Sequence, residues 1–471
     1  MVVGGCSEDS RQSQDSAGIP EIDAIFAEFD KPGSPGCGLA VAQDGEIVYS
    51  RGYGYANLDY DVRITPDTVF DVASINKQFV GAAISMLVLD GVLTLDDDVR
   101  KWLPEIPDYG SKISLRHMLL HTSGFRDYLN LFPLAGHTDY YPLSLEQIVD
   151  MMSRQRALAF EPGERYVYSN TSYMLLAAVI ERASGMTLAK FADERLFKPA
   201  GMTGSLMYDN HQEVIPHRAI GYHVDDDGRA RMVHNFNFDI PGDGQLYATM
   251  EDLLHWDNFI HGAEKPAIYN MMMTEGTTNS SEPLGYTLGI EFYEYRGLNA
   301  IGHTGGSWGF DSQYIRFPDH GLSIAVSCNN EYAPGDQFAR RVADYYLVDH
   351  LQPVEPPRPE RQPESVAPAK ERPSLTAEQL HQFTGRFFSE ELDATWRFEV
   401  VEGALRVRIE KQAPRYVFPL DEDQFAIGNE SKLSSYTSDV VVQFDRNRAG
   451  NVVGFGLDSN TEVGIVFEKQ Q

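Results

Sequence analysis

Val69-Phe70-Asp71-Val72-Ala73-Ser74-Ile75-Asn76-Lys77, running on into Gln78-Phe79-Val80-Gly81-Ala82-Ala83-Ile84-Ser85-Met86-Leu87-Val88-Leu89, decides how this chain reads. The second half carries apolar side chains at helical spacing and stops at Asp90-Gly91, a helix-ending pair. The pattern predicts that Ser74 sits in the first turn of a helix, with Lys77 one turn on and on the same face. A hydroxyl and an amine so placed can form an activated nucleophile, because the charge and hydrogen bonds of the amine act on the alcohol. The free N–H groups and the dipole of a helix start also favour negative charge beside the serine. Ser-x-x-Lys alone is weak, since a chain of this length contains it about once by chance at ordinary composition. In isolation it describes an N-cap serine and a solvent-facing lysine.

Two later elements supply the context. Tyr168-Ser169-Asn170 follows Glu161-Pro162-Gly163-Glu164-Arg165-Tyr166-Val167 and immediately precedes a strong helix signal, which predicts a constrained connection facing a pocket. Tyr-x-Asn also occurs at Tyr55, Tyr128 and Tyr208, so position rather than the string selects Tyr168. A cationic lysine can lower the pKa of a nearby phenol enough for its oxygen to accept the serine proton, and the two-ended amide of Asn170 can hold a substrate carbonyl or organise the lysine. His303-Thr304-Gly305-Gly306 then suggests a sheet edge close to substrate, with glycine clearing the approach and exposing backbone donors. His303 is expected there as a titratable donor that positions substrate and whose charge changes near neutral pH.

In order, these three elements resemble the serine beta-lactamase-like superfamily, in particular its class C-related penicillin-binding protein, D-aminopeptidase and esterase members. Leu115-Arg116-His117-Met118-Leu119-Leu120-His121-Thr122-Ser123-Gly124 and Tyr166-Val167-Tyr168-Ser169-Asn170 are similar to characteristic segments of that family. The resemblance spans roughly residues 19–350. It implies an α/β subdomain beside a helical subdomain, with the site between them. It also implies Ser74 as nucleophile, Lys77 as its amine partner, Tyr168 as the proton-transfer tyrosine and Asn170 as the neighbouring amide. His303, Thr304 and Gly305 match the late sheet motif, and the backbone N–H groups of Ser74 and Gly306 match the oxyanion donors. Many members carry lysine where this chain has His303, which tilts the reading away from antibiotic resistance without weakening a serine hydrolase. The expected function is cleavage of small carboxylic esters, or of D-amino-acid amides and peptides, through a Ser74 acyl-enzyme. The alternative is a penicillin-binding DD-carboxypeptidase or a weak class C-like beta-lactamase.

Organisation follows the same signals. A polar tail is read over 1–18, the hydrolase domain over 19–350, a proline-rich linker over 351–373 and a second domain over 374–471. Ile19 to Phe29 reads as an amphipathic helix, and Gly36–Val41 with Glu46–Tyr49 reads as a hairpin about Asp44-Gly45. Further helices are expected at 114–120, 143–152 and 172–182, and a late strand at 321–327. Pro353, Pro356, Pro357, Pro359, Pro363, Pro368 and Pro373 mark the linker as extended. Short alternating segments at 397–400, 404–409, 440–444 and 463–467 then predict a small antiparallel barrel. It resembles the lipocalin-like barrels appended to peptidases and esterases of this family, and such a barrel is expected to shape access to the cleft or to help form a homo-oligomer.

Composition narrows the partners. Of 471 residues, 42% are hydrophobic, enough for a substantial core and more than one domain. A formal net charge of -30 argues against a nucleic-acid backbone or an anionic membrane as the main partner. The partner is expected to be a small ester, peptide or beta-lactam substrate, and no cofactor is called for. No run of 18–20 apolar residues suggests a spanning helix. Val3-Gly4-Gly5-Cys6 resembles the end of a bacterial lipoprotein signal, which points to a periplasmic or lipid-anchored protein if an upstream signal has been removed, and to a cytoplasmic one otherwise. Cys6, Cys37 and Cys328 are too few for a disulfide framework and do not identify a redox compartment.

Competing motifs are weaker. Gly305-Gly306-Ser307-Trp308-Gly309 satisfies the nucleophile-elbow string, with Asp319 and His350 downstream, but a strand and not a helix is expected after Ser307. His117 and His121 share a helix face without a third metal ligand, so packing or a helix-end hydrogen bond is expected and no metal site is read. Gly242-Asp243-Gly244 lacks the residues of a phosphate loop and reads as a tight pocket-side connection. A non-catalytic sensor that binds a peptidoglycan fragment remains the alternative from another functional class.

Overall fold

The computed structural model describes residues 15–137, 143–233, 239–262, 266–353, 373–410, 412–428, 440–459 and 464–470. Cys6 and most of the proline-rich 351–373 segment lie outside them. The chain divides into two compact units. The first comprises 1–93, 180–276 and 283–353, and the second 94–179, 277–282 and 354–471.

The first unit is built on a six-stranded antiparallel sheet. Its strands are β1 (Cys37–Gln43), β2 (Glu46–Tyr53), β3 (Glu291–Tyr295), β4 (Leu298–Ser307), β5 (Phe310–Phe317) and β6 (Leu322–Cys328), in the order β3-β4-β5-β6-β1-β2. The expected hairpin is β1–β2, turning through Asp44 and Gly45, both at positive φ. Period-two alternation sorts the faces of β1. Leu39 and Val41 join the apolar cluster with Phe26 of helix α1 (Pro20–Phe26). Gly38 points the other way, where a Cβ would stand 3.3 Å from Met250 of the helix Met250–His261. Large residues thus fill one face while small ones let a helix close on the other.

Cys37 and Cys328 are register partners on β1 and β6 and form a buried disulfide across 291 residues of sequence. This pairing was not expected from three scattered cysteines. It ties the first strand of the sheet to the last. In the chain-entropy account, closing so long a loop is worth about 5–6 kcal/mol against the unfolded chain.

Helix α2 (Lys77–Leu89) follows a 3-10 turn, Ala73–Asn76, so Ser74 sits in that turn rather than in the first turn of the α-helix itself. Ala73 has φ +49, a left-handed conformation costly for a side chain with a Cβ. Gly81 lets α2 approach the chain at Leu288, whose carbonyl oxygen would lie 2.1 Å from an added Cβ.

In the second unit, helices α3 (Tyr128–Leu134) and α4 (Leu145–Ser153) precede α5 (Asn170–Ser184), matching the expected helices at 143–152 and 172–182. The unit also contains a closed eight-stranded antiparallel barrel running from Gly385–Ser389 to Ile465–Lys469. Alternate residues turn inward, and rings of Phe387, Trp396, Phe398, Phe444, Phe455 and Phe467 fill the interior, with Phe455 and Phe467 stacked at 4.4 Å. Among the described residues no helix is long and apolar enough to cross a membrane.

Candidate active site

Ser74, Lys77 and the strand bearing His303 to Gly306 belong to the first unit, whereas Tyr168 and Asn170 belong to the second. In the first, Lys77 is fully buried and its Nζ lies 3.1 Å from Ser74 Oγ and 2.7 Å from the Asp243 carbonyl oxygen. The Lys77 side chain therefore contacts the Ser74 hydroxyl while a backbone acceptor holds it in place. Asn76, between the two motif residues, donates through Nδ2 to the carbonyls of Gly242 (3.2 Å) and Gly244 (2.7 Å). The Gly242–Gly244 connection expected beside the pocket is therefore the cradle of Lys77.

Asp71 secures the strained residue before the nucleophile. Its Oδ1 accepts from Ala73 N at 3.0 Å and its Oδ2 accepts from Ser307 Oγ at 2.8 Å. Burial raises its pKa, and the Ala73 and Ser307 hydrogen bonds oppose that shift. Ser307 ends β4 and the next element is β5, so the elbow helix is absent and this serine serves as a donor to Asp71.

On β4, Thr304 and Gly306 alternate onto the exposed side while His303 and Gly305 are buried. A Cβ on Gly305 would meet the Val72 carbonyl oxygen at 2.2 Å, so only glycine lets β4 lie this close to the chain entering the Ser74 turn. Gly306 has open space where a Cβ would be.

His303 differs from the expectation of a donor that titrates near neutral pH. Its ring is 1% exposed. Nδ1 lies 2.6 Å from the Thr304 carbonyl oxygen, which only accepts, so Nδ1 carries the proton and Nε2 accepts from Tyr286 Oη at 3.2 Å. Burial, with the Lys77 charge adding to it, pushes its pKa down to about 3. The imidazole is neutral across the working range, so pH–rate curves of wild type and His303→Gln are expected to keep the same shape and differ by a scale factor. A shift of the acid limb in the variant would contradict this. The linkage has a definite sign: an unfolded histidine takes a proton below pH about 6.5 that the native ring refuses. The contribution to stability is therefore complete above that pH and declines as pH falls toward 3.

In the second unit, Tyr168-Ser169-Asn170 is held at both ends. Ser169 N donates to His121 Nδ1 at 2.9 Å, and the His121 ring stacks on Tyr168 at 4.3 Å. Asn170 N donates to Asp127 Oδ2 at 2.7 Å. His121 thus makes the local hydrogen bond expected of it, and His117 accepts from Ser114 N in a capping box. Among the described residues no group of His, Cys, Asp and Glu could hold a metal.

Asp71, Asn76, Asp243, Tyr286 and Asp127 all support this machinery and were not singled out in the sequence. Only the glycines flanking Asp243 gave a local signal.

The Beta-lactamase family profile matches residues 22–347. The chain belongs to that family. Similar relatives include penicillin-binding protein 4* of Bacillus subtilis (strain 168), 32% identical over 321 residues, which cover 62% of this chain and 68% of that protein. A D-aminopeptidase of Gluconobacter oxydans (strain 621H) is 28% identical over 352 residues, covering 73% of this chain and 64% of that one. The matched region is thus about two thirds of those family members' own length. Among solved structures, the octameric penicillin-binding protein homologue from Pyrococcus abyssi shares the fold with a TM-score of 0.61 at 24% identity, over 95% of this chain and 98% of that one.

Proposed function

We propose that this family member is a serine hydrolase that cleaves small carboxylic esters or D-amino-acid amides and peptides through a Ser74 acyl-enzyme. The observation that carries the reading is the buried Lys77 Nζ, 3.1 Å from Ser74 Oγ and fixed from behind by the Asp243 carbonyl. Ser74 Oγ attacks the carbonyl carbon as its proton passes to the deprotonated Tyr168 oxygen, while the Lys77 ammonium donates to Oγ and balances the charge. The N–H groups of Ser74 and Gly306 receive the oxyanion. As the C–O or C–N bond breaks, the leaving group takes the proton. Water then attacks the ester carbon, giving its proton back through the same groups and releasing the acid and free Ser74. Asn170 and Thr304 bind the substrate, with Gly305 keeping β4 close and His303 acting as a neutral brace beside Lys77.

The second reading, a penicillin-binding DD-carboxypeptidase or weak class C-like beta-lactamase, draws support from the Bacillus relative. A non-catalytic sensor is disfavoured because the amine sits in hydrogen-bond contact with the alcohol, a placement that simple binding does not require. The barrel is proposed to be lipocalin-like in origin. The Cys37–Cys328 disulfide favours an oxidising compartment outside the cytoplasm.

A panel of short-chain p-nitrophenyl esters, D-amino-acid amides, D-alanyl-D-alanine peptides and a chromogenic cephalosporin, with Ser74→Ala as control, tests the ranking. Esters or D-amides are expected to show the highest kcat/KM. A Ser74-dependent value for the cephalosporin at least about tenfold above every other substrate, roughly 1.4 kcal/mol in transition-state preference, would reject it.

A further inference from the structure

The barrel is joined to the helical part of its own unit at both ends of the short helix α3 and at the segment that follows α4. At the C-terminal end of α3, backbone carbonyls that a helix leaves without intrahelical partners are taken up by barrel side chains. Trp396 Nε1 donates to Leu134 O at 2.8 Å, and Gln412 Nε2 donates to Pro133 O at 2.8 Å. At the N-terminal end, Arg126 Nη1 donates to Glu391 Oε1 of the barrel and to Gln155 Oε1, both at 2.9 Å. Glu391 also accepts from Arg156 N at 2.8 Å. Arg126 and Glu391 are each 2% exposed. A buried ion pair gives little net stability against an apolar substitute, so its stronger effect is to impose one arrangement on the segments it joins.

Arg126 belongs to the segment that fixes the tyrosine connection. Its carbonyl oxygen accepts from Thr171 Oγ1 at 2.8 Å, and Thr171 Oγ1 accepts from Tyr128 N at 2.7 Å. Asp127, the N-cap of α3, accepts from both Leu129 N and Asn170 N. Hydrogen bonds, together with the covalent link from Arg126 to Asp127, therefore connect Glu391 to Asn170 and Thr171, immediately after Tyr168. The aromatic filling of the barrel gives Glu391 a rigid base.

We propose that Glu391 and Arg126 are positioning residues for acyl transfer, and that the barrel acts as a brace fixing Tyr168 and Asn170. This rests on the proton-transfer role of Tyr168 proposed above. The test is a double-mutant cycle in the full-length protein, reading the acylation rate constant for a p-nitrophenyl ester in single turnovers, with KM and the melting temperature alongside. Displacement of a catalytic group by about 1 Å costs on the order of 100-fold, so Glu391→Ala is expected to slow acylation at least about tenfold with KM little changed. In a Tyr168→Phe background the same substitution is expected to cost less than about twofold, because the group it positions no longer contributes. Glu391→Gln, which keeps the acceptor oxygen, is expected to recover most of the rate.

Because Glu391→Ala strands a buried Arg126 charge, the paired Arg126→Met/Glu391→Met replacement repeats the cycle without a buried charge. Folded variants acylating at the wild-type rate, or losing the same factor in both backgrounds, would overturn the brace. Tyr168→Phe acylating by itself at the wild-type rate would instead overturn the proton-transfer reading. The two failures are thereby distinguished.

Discussion

Ser74→Ala is expected to lower kcat/KM for every hydrolysed substrate by at least about 10,000-fold, the scale seen when a nucleophile acting as one unit with its proton acceptor is removed. The fold should survive, since Ser74 is only partly buried and the turn around it is held by Asp71, Asn76 and the Gly242–Gly244 carbonyls rather than by its hydroxyl. Fluorophosphonate labelling followed by intact-mass measurement is the direct check. Wild type should gain one adduct and the variant none. An acyl adduct of normal yield on the Ser74→Ala protein would remove Ser74 from the mechanism.

Lys77→Met should come next in size, at about 1,000-fold on acylation, within the span of positioned acid–base assistance. Methionine keeps the length of the side chain in a fully buried site but loses the contacts to Ser74 Oγ and the Asp243 carbonyl. Losing the second also removes a hydrogen bond to the half-buried Asp243 carbonyl, so the melting temperature should fall, by an amount corresponding to about 1 kcal/mol. Because the role proposed for Lys77 is on the serine proton, KM for a neutral ester should change far less than the acylation rate. Burst kinetics separate the two quantities, and an acylation rate within about threefold of wild type would rule the lysine out of proton transfer.

The site thus keeps a lysine inside the protein beside a histidine held neutral. The two are linked, since the Lys77 charge is one cause of the low His303 pKa. A second cation there would face both burial and repulsion. At position 303 this chain places an uncharged ring hydrogen-bonded to Tyr286. A substrate with a free carboxylate would therefore find no added positive charge from that position.

Local patterns carried much of the architecture. The Asp44-Gly45 hairpin, the apolar run of α2, the Ser144-capped helix α4 and the alternating barrel strands each follow from a few consecutive residues, because turn chemistry, helical periodicity and pleat alternation are short-range. The candidate site groups were nominated in the same way, as side-chain types at fixed spacing. What surrounds them was not. Cys37 meets Cys328 only because the sheet brings its first and last strands together, and Asp71 meets Ser307 across 236 positions. His303 has the sequence appearance of a neutral-pH switch, yet burial beside Lys77 removes that property. Glu391 sits in a surface-like string of charges between two strands, and nothing local pairs it with Arg126, 265 residues away. Short-range patterns specified which elements form and nominated the candidate groups. Tertiary structure decided charge state, partners and orientation, because desolvation and hydrogen bonding depend on whatever is folded alongside, however distant it is along the chain.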